Sequence, residues 1–474
     1  MLRLLPIALT ALLLSSCGST QTDEPYDVLF IAVDDLNDWV GYLGGHPQTR
    51  TPNIDRLAAR GMAFTNAQSP SALCNPVRTA LLTGIRPSTS GLYGNLPDWR
   101  TNAFFDDKTT LPRYFRDNGY ATFGAGKIFH AHTFFESGLA GFNDTRAWDE
   151  FYPSLEQQLP DELGPIQKPA NLNSVFVGFD WYPLVASDRA LGDGQVTDWV
   201  EQQILTDSEQ ARFVAAGIFR PHLPWYVPQS YFDLHPLDQI ELPPYRLDDL
   251  DDVPPIATRS ESFSVESHDW IVAADRWEEG VQGYLASISY ADARVGQLLD
   301  ALDASGRADR TIIVLWGDHG FHLGEKGRWR KMTLWNESLH VPFIVVAPGV
   351  TTPGSTSGAP VSLMDIYPTL VELAGLERPS HLEGRSLMPL LRDPSLEWDY
   401  PVLSTYGYRN HSVVSARFRY NRYADGSEEL YDIAADPNEW TNLASDQDFG
   451  SVIDELAGYL PASDALDLRQ GNPN

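Results

Sequence analysis

The chain has 474 residues and a formal net charge of −30, with 43% hydrophobic residues. This length is enough for a large core and two unequal domains, and the composition is that of a globular enzyme. Because the negative charge is spread along the sequence without a long acidic block, the surface field argues against nucleic acid as a partner. The same field repels anionic substrates unless a pocket is locally basic.

The N-terminal residues predict an export signal. A short basic start precedes an apolar run over 4–14, which is too short to span a membrane. The sequence Leu-Ser-Ser-Cys ending at Cys17 resembles a bacterial lipoprotein signal box; the alternative is an ordinary secretory peptide cleaved nearby. We expect a lipoprotein signal peptide over 1–17 and a tether over 18–25. The exported protein would then be periplasmic or held at the outer membrane or cell surface, with the lipid on Cys17 as its only membrane contact.

The first element after the tether is predicted to be a buried parallel strand. Residues 27–33 form a continuous apolar run that ends in Asp34 and Asp35. In open α/β sheets the site lies beyond the carboxyl ends of the strands, where these two carboxylates fall. The alternative for the pair is a helix cap or a solvated turn. Next, residues 51–61 predict a helix with Thr51 as its cap.

The following stretch contains Cys74, the only cysteine besides Cys17. Pro76 disfavours α conformation at the residue before it, so we expect a turn there, a helix from Arg78, and a stop at Gly84. This places Cys74 just before a helix N-terminus, where exposed N–H groups favour a developing anion. The alternative is a buried structural cysteine. Without a disulfide framework, stability must come from packing.

Two further elements lead to a lysine and a histidine. Residues 111–118 predict an amphipathic helix and 120–125 a strand, which runs into Lys127 and His130. Side chains three apart, just past a strand end, can point into one pocket, although such residues are more often at the surface. From 132 to 191 the periodicity fails and aromatic residues are frequent, so we expect ordered loops over the pocket.

The middle of the chain predicts a second histidine-bearing loop. A helix over 193–205 and a strand over 211–218 precede the sequence Arg-Pro-His-Leu-Pro-Trp. Its two prolines predict an extended, rigid loop that holds His222 in place. A Pro- and Asp-rich connection over 241–266 follows, and then a long amphipathic helix over 283–304.

A buried strand over 311–316 ends in Asp318 and His319. This strand and the first one deliver acidic groups to the same edge of the sheet. Asp34, Asp35 and Asp318 therefore make a hard oxygen site suited to Ca²⁺ or Mg²⁺. A histidine ligand is less usual for Ca²⁺, which leaves the identity of the metal open.

The last third of the chain completes the predicted fold. A basic loop over 324–331 ends in Lys331; the alternative is a solvated surface turn. Near residue 396 the pattern changes to short strands and a closing helix, which predicts a catalytic domain over 26–395 and a subdomain over 396–474. The fold class is α/β: a large mixed, mostly parallel sheet sandwiched by helices, plus a small C-terminal antiparallel α+β subdomain.

Several of these motifs, in this order, resemble those of one enzyme family. Cys-x-Pro-x-Arg, beginning at Cys74 and followed by Leu-Thr-Gly, is similar to the maturation signature of type I (formylglycine-dependent) sulfatases of the alkaline phosphatase superfamily. Gly-Lys-x-x-His around Lys127, and Leu-Gly-Glu-x-Gly-x-x-x-Lys ending at Lys331, match further family motifs. Val77 departs from the common Ser or Ala. The resemblance covers about 27–443 and implies an alkaline-phosphatase-like fold.

The resemblance implies a modified residue and a metal ion. In the family, the cysteine is oxidised to formylglycine by a formylglycine-generating enzyme, and the hydrated aldehyde attacks sulfur; here that cysteine is Cys74. Many members have Asn at the position of His319, whereas iduronate-2-sulfatase-like members have His, which points to that subfamily. The metal, Ca²⁺ with Mg²⁺ as the alternative, would be held by Asp34, Asp35, Cys74, Asp318 and His319.

The resemblance also implies roles for the other side chains. Arg78 would hold the geometry of the formylglycine, and Lys127 and Lys331 would bind the sulfate oxygens. His222, together with Lys331, would protonate the leaving sugar oxygen. His130 would help remove the second hydroxyl proton, so that sulfate leaves and the aldehyde forms again.

The expected function is hydrolysis of a sulfate ester on a sugar, in a sulfated polysaccharide or a glycosaminoglycan oligosaccharide. One alternative is a phosphonate monoester or phosphodiester hydrolase of the same superfamily, since sulfur and phosphorus esters differ little in shape. A second is a non-catalytic polysaccharide-binding lipoprotein with a dead site. The intact set of Cys74, aspartate and lysine residues argues against this second alternative.

Overall fold

The structure, a computed structural model, describes residues 25–130, 141–154, 157–160, 179–258 and 266–468. The predicted signal peptide with Cys17, and much of the aromatic-rich segment after residue 130, lie outside the described residues. In the part of the chain that is described, no helix combines the length and apolar character needed to cross a bilayer.

The strands are, in chain order, β1 (Asp27–Val33), β2 (Met62–Phe64), β3 (Ala67–Gln68), β4 (Ala121–Gly126), β5 (Glu150–Tyr152), β6 (Trp181–Leu184), β7 (Arg212–Ile218), β8 (Trp225–Pro228), β9 (Thr311–Gly317), β10 (His322–Leu323), β11 (Trp329–Arg330), β12 (Phe343–Val346), β13 (Ser355–Ser357), β14 (Val361–Ser362), β15 (Val402–Thr405), β16 (His411–Val414), β17 (Phe418–Arg422) and β18 (Glu428–Asp432). The α-helices are α1 (Pro52–Arg60), α2 (Cys74–Thr83), α3 (Pro87–Ser90), α4 (Leu111–Asp117), α5 (Gly192–Leu205), α6 (Gln229–Phe232), α7 (Pro255–Thr258), α8 (Glu266–Ala273), α9 (Trp277–Ala304), α10 (Asn336–Leu339), α11 (Ile366–Leu373), α12 (Met388–Arg392) and α13 (Gly450–Ala457).

The main sheet has eight strands in the order β13-β2-β12-β9-β1-β7-β4-β5. Its neighbouring pairs are parallel, except the two that β12 makes with β2 and β9. β1 lies between β7 and β9, with Val33 opposite both Ile218 and Gly317. The expected large, mostly parallel sheet is therefore confirmed. The carboxyl ends of β1, β7 and β9 lie side by side, which is where a site is expected in such sheets.

Both faces of the main sheet are covered by helices, which explains why β1 is apolar at every position after Asp27. Its side chains alternate between two separate cores. Leu29, Ile31 and Val33 pack in the core that includes residues of α1, α5 and α9. The alternate residues of β1 join the core formed with α2, α4 and α11: Val28, Phe30 and Ala32.

Helix α2 begins earlier than the sequence pattern predicted. Cys74 is its first residue, four residues before the predicted start at Arg78, and Pro76 lies within the first turn. Proline is tolerated there because the first N–H groups of a helix have no acceptor within the helix. The helix ends as predicted at Gly84, which has a φ of 73° and donates its N–H to the carbonyl of Ala80.

Helix α1 lies where the pattern predicted it, but the side chain of Thr51 does not cap it. The Thr51 hydroxyl instead accepts a hydrogen bond from Gly41 N–H at 2.8 Å. The N–H groups of Asn53 and Ile54, in the first turn, donate to Asp292 Oδ1, on α9, at 3.0 and 2.8 Å. The cap thus comes from a residue far away in the sequence.

Two corrections concern the middle of the chain. Strands β5 and β6 lie in the segment that we expected to be loops only; β5 joins the main sheet beside β4, and β6 pairs with β8. Helix α9 begins at Trp277, six residues before the predicted start at Gly283.

The C-terminal part forms a separate antiparallel sheet in the order β15-β16-β17-β18, as expected. Leu456 of α13 packs in a small core on this sheet. Arg419 of β17 ties the sheet to the main domain, because its buried guanidinium pairs with Glu439 and donates to Asn336 Oδ1 at 2.9 Å. The domain boundary at residue 396 stays a prediction.

Candidate active site

Asp34 and Asp35 follow directly after β1, and both side chains are buried. The N–H of Asp34 donates to the carbonyl of Ile218 at 3.0 Å, which continues the pairing between β1 and β7. Asp35 has a φ of 58° and donates its N–H to Asp318 Oδ1 at 3.0 Å. The left-handed conformation of Asp35 ends the strand and is uncommon for a residue other than glycine. The expected meeting of acidic groups from β1 and β9 is therefore observed.

Cys74, at the start of α2, lies at the centre of the site. Its Sγ is 3.1 Å from His319 Nε2. The ammonium groups of Lys127 and Lys331 lie 3.9 and 3.7 Å from the same sulfur. Two lysines that are far apart in the sequence thus converge on one atom, as the predicted pocket requires.

Arg78, one turn further along α2, connects the acidic residues of two strands. Its Nη2 donates to Asp34 Oδ1 at 3.0 Å and its Nε donates to Asp318 Oδ2 at 2.9 Å. Its Nη1 donates to the carbonyls of Lys127 and Ile128, the latter at 3.1 Å. The guanidinium is buried. A rigid fork with this many partners fixes the relative positions of α2, β1, β9 and the segment after β4.

The two lysines also neutralise the two carboxylates. Lys127 Nζ is hydrogen-bonded to Asp34 Oδ2, and Lys331 Nζ to Asp35 Oδ1. Burial raises the pKa of each carboxyl, but the nearby cations outweigh burial, so both pKa values lie below their usual range. The carboxylates are therefore ionised at neutral pH.

Four of the residues predicted as metal ligands form one compact group. One potential ligand atom from each of Asp34, Asp35, Cys74 and His319 lies within 4.8 Å of the others. His319 Nδ1 is 3.1 Å from the carbonyl of Gly320, which makes Nδ1 the donor and leaves Nε2 directed at the group. Metal-bound histidines usually have such a second hydrogen bond. Two ionised carboxylates and an oriented imidazole fit a divalent cation.

Asp318, the fifth predicted ligand, has other partners in this structure. Its Oδ1 accepts the backbone N–H groups of Asp35 and His319, both at 3.0 Å, and its Oδ2 accepts from Arg78. Burial and the charge of Asp34 raise the pKa of Asp318 to about 7. Burial alone lowers the pKa of His319, but Asp318 and Cys74 raise it to about 9. A bound cation reverses both tendencies by favouring carboxylate and neutral imidazole.

His222 lies on the loop after β7, as predicted. Its Nδ1 is 2.6 Å from the carbonyl of Leu223, so Nδ1 is the donor and Nε2 remains for other contacts. Burial lowers the pKa of His222 to about 3, although Asp35 opposes this shift. The imidazole is therefore neutral at pH 7 in the absence of a bound anion.

His130 follows Lys127 at the end of the β4 segment and is buried. Its ring lies 5.8 Å from the ring of Phe142, and its carbonyl accepts the N–H of Phe142 at 2.9 Å. The residue after it lies outside the described part of the chain. A role in proton transfer remains a prediction for His130.

Sequence reasoning missed two side chains at this site. Asp193, at the start of α5, accepts the N–H of Phe219 at 2.7 Å and that of Arg220 at 2.9 Å, and so holds the loop of His222. Arg330, next to Lys331, lies near the site, since burial lowers its pKa to about 10 while the charge of Asp35 acts in the opposite direction. No local pattern indicates the contacts of Asp193, whereas the cluster of basic residues before Lys331 was a usable signal for Arg330.

Comparison with known proteins identifies the family. The family model for sulfatases matches residues 26–376, and the model described as N-sulphoglucosamine sulphohydrolase, C-terminal, matches residues 324–464. A sulfatase of Formosa agariphila is 40% identical over 460 residues, which cover 94% of this chain and 88% of that relative. Human iduronate 2-sulfatase is 31% identical, over 81% of this chain and 77% of the relative. The chain belongs to the sulfatase family and is a sulfuric ester hydrolase.

Solved structures support the fold. The phosphonate monoester hydrolase of Agrobacterium radiobacter superimposes with a TM-score of 0.73 at 22% identity, covering 91% of this chain and 94% of that one. The protein BT4656, in complex with its substrate D-glucosamine-2-N,6-O-disulfate, superimposes with a TM-score of 0.70 at 20% identity, covering 92% and 96%. The expected alkaline-phosphatase-like fold is therefore confirmed.

Proposed function

We propose that this sulfatase hydrolyses sulfate esters on sugars, with Cys74 oxidised to formylglycine by a maturation enzyme. The observation that carries the proposal is the surroundings of Cys74 Sγ: two ammonium groups within 3.9 Å and an imidazole at 3.1 Å, beside two buried carboxylates. A sugar substrate is supported by the relatives, among them iduronate 2-sulfatase and a protein bound to a glucosamine disulfate.

We propose a divalent metal, Ca²⁺ with Mg²⁺ as the alternative, held by Asp34, Asp35 and His319 together with residue 74. Asp318 is the fifth candidate ligand, although its Oδ2 accepts from Arg78 and its Oδ1 accepts two backbone N–H groups in this structure. Formylglycine at position 74 would supply a hydrated aldehyde with a nucleophilic hydroxyl, and a bound metal would supply a Lewis acid for the sulfate oxygens.

The chain's own side chains would perform the remaining work. Lys127 and Lys331 would bind the sulfate oxygens, since their ammonium groups already converge on residue 74. His222 would give a proton to the sugar oxygen as its bond to sulfur breaks, because a bound sulfate favours the imidazolium form. His130 would accept the proton that residue 74 loses when sulfate is released. Arg78 would hold residue 74 and the acidic residues in their relative positions.

A phosphonate monoester hydrolase is the second candidate. The specific observation in its favour is the phosphonate monoester hydrolase of similar fold, which covers 91% of this chain. Both kinds of ester are anions, so the cations of the site favour the binding of either one. Both activities must therefore be measured.

The deciding experiment measures side by side the release of inorganic sulfate from sulfate esters and the release of alcohol and free phosphonate from a phosphonate monoester. The mature chain is produced with a formylglycine-generating enzyme, and conversion of Cys74 is checked by mass spectrometry. The substrates are sulfated oligosaccharides, an aryl sulfate and a phosphonate monoester. We expect sulfate release to fall on the order of 10⁴-fold or more in Cys74→Ala, as for loss of other nucleophiles. Chelation should abolish it and added Ca²⁺ should restore it.

The outcomes separate the candidates. Chain produced without the maturation enzyme serves as the matched control, since it retains Cys74 as a thiol. Release of phosphonate product without sulfate release would move the protein to the second candidate. Converted protein that hydrolyses no ester would instead favour the non-catalytic polysaccharide-binding alternative.

We also propose that the chain is exported and anchored by a lipid on Cys17, in the periplasm, at the outer membrane or on the cell surface. The apolar run over 4–14 and the residues before Cys17 support this proposal. Membrane fractionation of cells that produce the full chain tests it; a protein found only in the soluble cytoplasmic fraction would contradict it.

A further inference from the structure

The turn after β1 carries two of the proposed metal ligands, Asp34 and Asp35, and its backbone is bonded to three other parts of the fold. The N–H of Asp34 bonds to a carbonyl of β7, and the N–H of Asp35 bonds to Asp318 after β9. The N–H of Asn37 donates to the hydroxyl of Tyr284, on α9, at 3.1 Å. Helix α9 therefore reaches this turn through a tyrosine that the proposed mechanism does not use.

The hydroxyl of Tyr284 bridges two residues of the turn. It accepts the N–H of Asn37 and donates to the carbonyl of Asp35 at 2.7 Å. A phenolic hydroxyl has one proton to donate and can also accept, so the two bonds are compatible with each other. Together they restrain the backbone on the C-terminal side of Asp35.

The conformation of Asp35 depends on such restraints. Its φ of 58° is uncommon for a residue with a side chain. Residues of this kind keep their conformation only when the surrounding structure holds them in place. Here the N–H of Asp35 is held by Asp318 and its carbonyl by Tyr284. A change in this backbone would redirect the carboxylate of Asp35, which now belongs to the compact group of potential ligands with His319.

The ring of Tyr284 is itself fixed by packing. The side chain is buried, and its ring stacks on Phe321 with centroids 5.5 Å apart. Two tryptophans, Trp39 and Trp225, meet the same ring edge-on, each with a centroid distance of 5.5 Å. A ring enclosed on several sides has few alternative rotamers, so its hydroxyl is presented to the turn in one position.

We propose that Tyr284 is a positioning residue for the divalent metal, because its hydroxyl fixes the turn that directs the carboxylate of Asp35. Tyr284 acts through Asp35 and is not itself a proposed ligand. Groups that hold a metal ligand in place typically change the metal affinity by about 10- to 100-fold when they are removed. This inference rests on the metal proposed above and adds a residue on which its affinity depends.

The test is the affinity for Ca²⁺ of the full chain, converted at Cys74, freed of metal and titrated in a calorimeter. Tyr284→Phe removes the hydroxyl and keeps the ring, so the carbonyl of Asp35 and the N–H of Asn37 lose their partner. We expect the Kd for Ca²⁺ to rise about 10-fold or more. The kcat on a sugar sulfate should be low at limiting Ca²⁺ and recover at saturating Ca²⁺. A general loss of stability would not be reversed in this way.

Tyr367→Phe is the matched control. Tyr367 is also fully buried, and its hydroxyl donates to the carbonyl of Thr109 at 3.1 Å, in the core on the other face of the main sheet. Its loss should lower the free energy of unfolding to a similar degree and leave the Kd for Ca²⁺ unchanged. An unchanged Kd in Tyr284→Phe, or an equal rise in both variants, would overturn the inference.

A second variant covers the case in which Tyr284→Phe does not fold. Asn37→Ser removes the bond from the side-chain amide of Asn37 to the carbonyl of Phe321, at 3.1 Å, and so loosens the same turn. Weaker Ca²⁺ binding by this variant would support control of the affinity by the turn, and unchanged binding would overturn it.

The titration uses no ester, which separates this inference from the proposed function. If the wild type binds Ca²⁺ but hydrolyses no ester, the proposed function fails, and the two tyrosine variants still test Tyr284. A wild type that binds neither Ca²⁺ nor Mg²⁺ would overturn the inference, whereas sulfate release by the same protein would still support hydrolysis of sulfate esters.

Discussion

At residue 74, burial and charge act in opposite directions. Burial raises the pKa of the Cys74 thiol, but Lys127 and Lys331 outweigh it, so the pKa lies below its usual value. The same ammonium groups favour any negative charge that develops at this position, whichever group carries it. The site thus suits an oxyanion near residue 74, although the chain as a whole carries a net charge of −30.

The residue-scale prediction concerns the proton donor. His222→Gln should lower kcat on a sugar sulfate about 100-fold and on a nitrophenyl sulfate less than about 10-fold. A sugar alkoxide needs a proton as it leaves, whereas a nitrophenolate does not. Steady-state kinetics with both esters measures the difference.

The matched control for His222→Gln is His235→Gln, since His235 is a buried histidine that bonds to Ser289 Oγ at 3.0 Å. Its loss should affect both esters alike. Equal loss on both esters in His222→Gln would remove His222 as the proton donor and leave Lys331 as the candidate.

At the scale of elements, helix α5 and strand β7 together position the loop of His222. Both carboxylate oxygens of Asp193 accept backbone N–H groups, those of Phe219 and Arg220, just before the loop. The side chain of Asp193 is buried. A buried N–H group without its acceptor costs about 1–3 kcal/mol, so this aspartate contributes to both the stability and the shape of the loop.

Asp193→Ala should therefore lower the free energy of unfolding by roughly 2–4 kcal/mol, since two buried N–H groups lose their acceptor. It should also reduce the kcat on sugar sulfates more than that on aryl sulfates, because His222 is displaced. Denaturant unfolding and the two-ester kinetics measure the two effects. The control is Asp207→Ala, at an exposed position after the same helix. A destabilised variant with unchanged preference between esters would show that Asp193 acts on stability alone.

Strand β18 contains a buried carboxyl with a strongly shifted pKa. Glu429 Oε2 accepts from Asn421 Nδ2 at 2.7 Å and from the Tyr423 hydroxyl at 2.9 Å. Burial raises the pKa of Glu429 from 4.5 to about 7. Between these values the folded protein holds a proton that the unfolded chain releases. The free energy of unfolding therefore falls as the pH rises from about 4.5 to about 7.

Glu429→Gln should remove this contribution, since an amide does not titrate. We expect the free energy of unfolding of the variant, minus that of the wild type, to increase by about 1–3 kcal/mol from pH 5 to pH 8. Denaturant unfolding at a series of pH values measures it. Glu428→Gln, at the neighbouring and partly exposed position, is the control. Parallel pH curves for wild type and Glu429→Gln would contradict the assigned shift.

At the scale of the whole molecule, the C-terminal sheet supports the active-site hairpin. Lys326, in the loop between β10 and β11, is buried and bonds to Asp249 at 3.0 Å and to the carbonyl of Glu439 at 2.6 Å. Arg419 bonds to the carboxylate of Glu439. The loop that presents Arg330 and Lys331 is thus anchored at its base by the C-terminal part of the chain.

The sequence by itself determined the kind and order of most elements. The apolar runs of β1 and β9 were readable because strands buried on both faces are apolar throughout. Helix α1 was readable from its periodicity, and the carboxylates after β1 and β9 from their place at strand ends. The resemblance of the Cys74, Lys127 and Lys331 motifs to known enzymes supplied their chemistry, which spacing alone did not.

Only the tertiary structure decided which polar groups that are distant in the sequence form hydrogen bonds with each other. Asp292 caps a helix 238 residues away, and Arg78 joins Asp34 to Asp318, which lies 240 residues after Arg78 in the chain. Asp193 holds a loop through backbone N–H groups, which carry no sequence signature. Local patterns report on neighbours within a few turns. A buried polar group instead requires a hydrogen-bonding partner, and the fold can bring that partner from any distance along the chain.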